Sequence, residues 1–140
     1  MRLVLDTNVI VTAMRSPKGA SVALLMAARR ERITILANVA LALEYEATCR
    51  RAEHGVAAGL RPSQLNIFVD AVIAMVEPVE AHFLWRPQLR DPADEMVLEA
   101  AVNGRASAIV TFNSEDFGGI PLQFGVEVLS PVDVLRRIEP

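Results

Sequence analysis

The sequence predicts an α/β fold, a three-layer α/β/α sandwich around a central, mainly parallel sheet. Three observations carry that expectation. Short strand segments and longer helical ones alternate along the chain. The strand segments are apolar throughout rather than at every second residue, as strands covered on both faces must be. And 52% of the 140 residues are hydrophobic, enough to bury a core without disulfides or a structural metal.

Leu3-Val4-Leu5 reads as a buried strand that stops at Asp6-Thr7-Asn8, a helix-start signal. Val9 to Met14 continues as a helical segment, broken near Ser16-Pro17-Lys18-Gly19. Ala20 to Arg32 predicts a helix with Val22, Leu25 and Met26 as its apolar stripe and three arginines near its C-terminal end. Ile33 to Leu36 is the next strand, and Asn38 is placed to N-cap a helix reaching about Arg51. Pro62 or Ser63 opens another helix, in which Leu65, Phe68, Val69, Val72, Ile73 and Val76 recur at helical spacing. Residues 76–80 read as a short strand weakened by Pro78. Asp91 as N-cap and Pro92 at the first helical position start a helix that Asn103-Gly104 stops. Ala108 to Thr111 and Val126 to Leu129 are two further strands, and Ser130-Pro131 opens a last helix to Ile138. There is no repeat, linker or low-complexity stretch, so residues 1–140 are expected to form one domain.

Composition removes several classes of chemistry. Cys49 is the single cysteine, which forbids an internal disulfide and any Cys-cluster zinc site. His54 and His82 are too far apart to make a metal pair on one helix. Seventeen acids leave hard-metal, oxygen-ligand chemistry open. A net charge of −3 argues against a protein coated in positive charge. Of the 14 basic residues only Lys18 is lysine, and arginines come in pairs at 29–30, 50–51 and 136–137. These read as solvated helix ends, although arginine also grips phosphate bidentately. No apolar run approaches the length of a bilayer span, and Asp6 falls where a signal peptide would still be apolar. A soluble, cytoplasmic chain without membrane contact is expected. No GxGxxG follows any strand, which excludes a dinucleotide-dependent oxidoreductase.

In open parallel sheets, ligands bind beyond the carboxyl ends of the strands. Two strand ends carry polar clusters, Asp6-Thr7-Asn8 and Thr111-Phe112-Asn113-Ser114-Glu115-Asp116, and a third cluster, Asp91-Pro92-Ala93-Asp94-Glu95, opens the helix between them. Asp94 shares a helical face with Val97, Leu98 and Ala101 and is expected at the top of the buried stripe. A first-turn acid also complements the helix dipole, so that position alone does not make it functional. Glu95 aligns with Glu99 and Asn103, an expected outward face. Glu46 precedes Arg50 by four residues, a surface pair, whereas Glu44 has only Ala40, Leu41, Ala47 and Thr48 as helical neighbours. Its carboxylate needs solvent or a metal. Asp6 would serve as an N-cap and Asn8 as a turn residue when taken singly. Together, Asp6, Glu44, Asp94 and an acid after Thr111 would repel one another at one sheet edge unless one or two divalent cations neutralised them. Oxygen-only ligands select Mg²⁺ or Mn²⁺, and such a site activates water for in-line attack on a phosphodiester.

At these residues the sequence resembles the PIN-domain family, specifically the bacterial branch of toxin components of toxin–antitoxin systems. The resemblance covers essentially the whole chain. It rests on Asp6-Thr7-Asn8 after a hydrophobic strand, Glu44-Tyr45-Glu46 in a mid-chain helix, Arg90-Asp91-Pro92-Ala93-Asp94-Glu95, and Val110-Thr111 leading into Asn113 and Asp116-Phe117. It implies a metal-dependent endoribonuclease acting on RNA, dimeric and held inactive by a cognate antitoxin. Asp6, Glu44 and Asp94 match the family's first three acids; Asp6 and Asp94 would ligate Mg²⁺ or Mn²⁺, and Glu44 would ligate it or orient the attacking water. Thr7, Asn8 and Thr111 would hold these groups by hydrogen bonds. The departure is Asn113, which stands where a fourth acid usually follows the threonine. Either Asp116, three residues on, substitutes as catalytic group and ligand, or the site has three acids. Two other readings stay open: a non-catalytic PIN scaffold that binds RNA or a partner, and a phosphatase or phosphotransferase with Asp6 as nucleophile. The last would need an acid at position 8, where Asn8 stands, and a lysine, for which only Lys18 is available. Arg15, Arg86 and Arg90 are expected to grip the RNA backbone.

Overall fold

Leu3, Val4 and Leu5 have no exposed surface, so this short segment can form the middle strand of the molecule. The computed structural model, which describes residues 1–81 and 87–139, builds a five-stranded sheet around it, every pairing parallel. β1 (Arg2–Leu5) lies between β2 (Thr34–Ala37) and β4 (Ala108–Val110), with β3 (Val76–Pro78) and β5 (Glu127–Leu129) at the two edges. Pro78 has no N–H to donate and is tolerated because β3 is an edge strand.

The order β3-β2-β1-β4-β5 means that the chain steps one way through β1, β2 and β3, then crosses to the other side of β1 for β4. Crossovers between parallel strands are right-handed, so reversing direction moves the connecting helix to the opposite face. The first face carries α1 (Thr7–Arg15), α2 (Ala20–Arg29), α3 (Val39–Cys49), α4 (Ala52–Ala58) and α5 (Pro62–Met75). The other carries α6 (Pro92–Asn103), which packs on β1, β2 and β4. A short α7 (Ile120–Gln123) follows, and α8 (Pro131–Ile138) packs on α2. The result is the expected sandwich, with a sheet that is wholly parallel. The direction reversal opens a crevice at the carboxyl ends of β1 and β4, where such sheets bind ligands.

Local signals place most helix starts. Asp6, Asn38, Asp91 and Ser130 all occupy N-cap positions with side chains accepting from the first turn. Two expectations need correction. The stripe of α2 is rotated: Ser21, Leu24, Leu25 and Ala27 are buried and Met26 is 40% exposed, because α2 is wedged between α1 and α8. α4 fills a stretch where no element is expected, ending at Gly59 in the left-handed conformation that glycine favours. After β4, Ser114–Asp116 makes a 3-10 turn before α7.

Gly104 ends α6 as expected, though not for the expected reason. Its φ is −85°, open to any residue. A Cβ there would stand 2.8 Å from Ala100 O, 2.9 Å from Val79 Cγ2 and 3.1 Å from Leu36 Cδ1. The close approach of the helix end to β2 and β3 is what requires glycine. Gly104→Ala should therefore destabilise the chain by about 2 kcal/mol, read as a lower urea midpoint at unchanged slope.

Candidate active site

Asp6 N–H donates to Val110 O at 2.9 Å, which ties the end of β1 to the end of β4 and sets Asp6 in the crevice. Both oxygens of its carboxylate are engaged: Thr7 N–H donates to Oδ1 at 2.8 Å and Thr111 Oγ1–H to Oδ2 at 2.7 Å. Thr111 is itself buried, and its Oγ1 accepts from Asn113 N–H at 3.0 Å. One threonine thus fixes both Asp6 and the turn that follows β4. Beneath them the buried Tyr45 hydroxyl of α3 donates to Leu5 O, pinning the end of β1. Burial raises the Asp6 carboxyl above the usual carboxylate range, the Thr111 and Thr7 bonds oppose this, and the charges of Asp116 and Asp91 add to the rise.

Asp94 sits half-buried in the first turn of α6, above the buried Val97, Leu98 and Ala101, as its helical spacing predicts. Its carboxyl is pushed up to about 6, first by burial and then by the charges of Asp6, Asp91 and Asp116. Four aspartates from three segments therefore feel one another at one edge of the sheet. No three His, Cys, Asp or Glu side chains among the described residues converge to the spacing that encloses a metal ion. Asp116, exposed on the 3-10 turn, and Asp94 both line a cleft of about 450 Å³ together with Arg90, Asp91 and Glu115. Asp91 is the N-cap of α6, its Oδ1 accepting from Ala93 N–H at 2.9 Å.

Glu44 lies half-buried on α3 and accepts from Thr48 Oγ1 at 3.2 Å, so its neighbour one turn on gives it a partner that the sequence leaves unnamed. Glu46 pairs with Arg50 at 3.0 Å as expected. Asn8 makes no side-chain bond to the acids; its Oδ1 is buried and accepts no hydrogen bond among the described residues. Asn113 is exposed. Of the arginines expected near the site, Arg90 lines the cleft. Arg15 is the last residue of α1, about 13 Å along the helix from Asp6, and Arg86 falls outside the described residues.

The expected outward face of α6 is wrong at Glu95. That residue is 8% exposed, and its carboxylate accepts from the backbone N–H of Gln88 (3.2 and 3.1 Å) and of Leu89 (2.8 Å). Helical periodicity could not reveal this, because what covers Glu95 is the chain folding back from residues 87–90. Nothing in the local pattern marks that return.

The PIN domain family model matches residues 2–115, a span from β1 through the acidic turn after β4. No curated protein matches. Among solved structures, a chain of VapBC2 from Rickettsia felis, crystallised with a DNA fragment from their promoter, superposes with a TM-score of 0.62 at 16% identity. The match covers 93% of this chain and 98% of that one, and at such identity it speaks for the fold. None of the helices among the described residues is long and apolar enough to cross a membrane. With the family match spanning the strands and acidic turns that build the crevice, the chain belongs to the PIN-domain family.

Proposed function

We propose that this chain is a metal-dependent endoribonuclease, the toxin of a toxin–antitoxin pair, hydrolysing RNA phosphodiester bonds at the edge of the sheet where Asp6 and Asp94 meet. The observation that carries the reading is the crowding of acids there: Asp94 is pushed up to about 6, first by burial and then by the charges of Asp6, Asp91 and Asp116. Carboxylates held against one another are costly unless a cation neutralises them. The side chains in question, Asp6, Asp94 and Asp116, offer oxygen donors only. Oxygen donors suit Mg²⁺ or Mn²⁺ rather than a soft metal, although no three of these acids stand at ion-enclosing spacing among the described residues. Asp6, Asp94 and Asp116 would hold the ion, with Glu44 a further ligand or the group that orients the attacking water. When bound, the cation supplies an acidified water and stabilises charge on the phosphate.

The chain's own residues do the positioning. Thr111 and Thr7 hold the Asp6 carboxylate in one orientation. Asp94 stands on the first turn of a helix packed on three strands. Arg90, at the cleft, is placed to meet a backbone phosphate. A cognate antitoxin partner is supported by the fold neighbour, whose structure is of VapBC2 with promoter DNA. A homodimer and a cytoplasmic location complete the proposal.

The test is cleavage of a labelled RNA pool by metal-stripped protein with no metal, Mg²⁺ or Mn²⁺, beside Asp6→Asn. Metal-dependent cleavage that Asp6→Asn abolishes is expected; cleavage unchanged by that substitution would place the chemistry elsewhere. A second reading, a scaffold that binds RNA or a partner without cutting, is favoured by Asn113 in place of an acid. It predicts RNA binding with no cleavage under either metal. The phosphatase reading lacks support, since Lys18 lies beyond the end of α1 remote from Asp6.

A further inference from the structure

We propose that Glu95 is a positioning residue that straps residues 88–91 across the acidic cleft and thereby presents Arg90 to the phosphodiester backbone of the RNA; the part concerning RNA rests on the function proposed above. A carboxylate buried to the extent of Glu95 is tolerated only when its oxygens are bonded. Gln88 N–H reaches both of them and Leu89 N–H reaches Oε2. Backbone N–H bonds to an ionised carboxylate are short, directional and stronger than neutral ones. Leu89 adds an apolar anchor by packing against the core. Two residues on, Asp91 caps α6 through Ala93 N–H. The strap is thus tied on both sides of Arg90, and both ties run to the first turns of α6, which also carries Asp94.

What the strap presents is chemically distinctive. The cleft is lined by four acids, Asp91, Asp94, Glu115 and Asp116, and among the described residues that line it Arg90 is the sole base. Its side chain is exposed and makes no ion pair among the described residues, despite the acids around it. An anionic polymer approaching such a cleft meets repulsion everywhere but at Arg90. Holding Arg90 in place before RNA arrives removes an ordering cost from binding.

Two measurements on the intact 140-residue chain test this. In the wild-type protein, hydrogen exchange at the Gln88 and Leu89 amides should be slow for a surface loop and should accelerate in Glu95→Gln. Free-chain rates in the wild type would overturn the strap, and this readout needs neither activity nor a folded variant. Affinity for a fluorescent oligoribonucleotide, measured without metal, should fall about tenfold in Arg90→Ala and in Glu95→Gln, the size of one charge-assisted contact. In the double variant the loss should be no larger than in either single one. A further tenfold loss on adding Glu95→Gln to Arg90→Ala would show that Glu95 acts through the fold instead of through Arg90 and would overturn the assignment. Slow amides in a protein that neither binds nor cuts RNA would refute the nuclease reading and the role given to Arg90, while the strap itself stood.

Discussion

Asp94→Asn is expected to abolish metal-dependent RNA cleavage while making the metal-free protein more stable at neutral pH. The two effects have one cause. Asp94 is raised to about 6 by partial burial and by the charges of Asp6, Asp91 and Asp116, so its anion is the disfavoured form in the folded chain. A group whose folded pKa lies above its unfolded value adds stability that is full below the unfolded value, 3.8 here, and lost as pH rises through the folded one. Above pH 6 that contribution is gone and the repulsion remains. A neutral amide removes it. Because the side chain is only partly buried, screening reduces the gain to about 1 kcal/mol, or a few degrees in Tm. Calorimetry of the metal-stripped protein at pH 5 and pH 7.5 should show a wild-type decline with pH that is shallower in the variant. Cleavage should fall by at least about 100-fold, since even groups one step removed from a metal cost 10–100-fold. A variant that loses stability at pH 7.5 would mean that Asp94 is held by favourable contacts and is not under strain.

Thr111→Val should be the most damaging single change that leaves every acid in place. The hydroxyl donates to Asp6 Oδ2 at 2.7 Å and accepts from Asn113 N–H at 3.0 Å, and the residue is 2% exposed. Valine keeps the shape and removes both bonds, so destabilisation of about 1–3 kcal/mol follows from the unsatisfied groups left behind. Losing the donor also removes a contact that lowers the Asp6 pKa, so ionisation of Asp6 shifts to higher pH. The pH profile of kcat/KM should accordingly rise at higher pH than in the wild type, with the plateau down about 10–100-fold. Thr111→Ser retains the hydroxyl and should restore the profile, at a cost of about 1 kcal/mol for the lost methyl. If serine and valine behaved alike, the hydroxyl would have no part in holding Asp6.

Much of the candidate site is legible in the sequence. Asp6, Asp94 and Thr111 lie at the ends of segments whose type is written in local pattern: an apolar run before Asp6, a cap and proline before Asp94, a second apolar run before Thr111. Position at a strand end in a parallel sheet directs Asp6 and Thr111 to one crevice, and the start of α6 sets Asp94 where the charge of Asp6 reaches it. Glu44 was separable from Glu46 by the absence of a basic partner one turn away, though its bond from Thr48 was not foreseen. The failures share a cause. The buried sector of α2, the burial of Glu95 and the glycine at position 104 each depend on what approaches from elsewhere in the chain. Helical period describes one element's own faces and is silent about which neighbour covers them.

The division between the two sources of information follows from range. Apolar strands in alternation with capped helices, and acids at strand ends, were determined by the sequence alone, because each depends on residues within a turn or two of one another. The tertiary structure decided the strand order β3-β2-β1-β4-β5, which makes the β1–β4 edge the crevice. It also decided which aspartates act on which, and that residues 88–91 are tied down over the cleft by Glu95. Charge repulsion and backbone capture act through space between segments far apart in the chain, and only folding sets those distances.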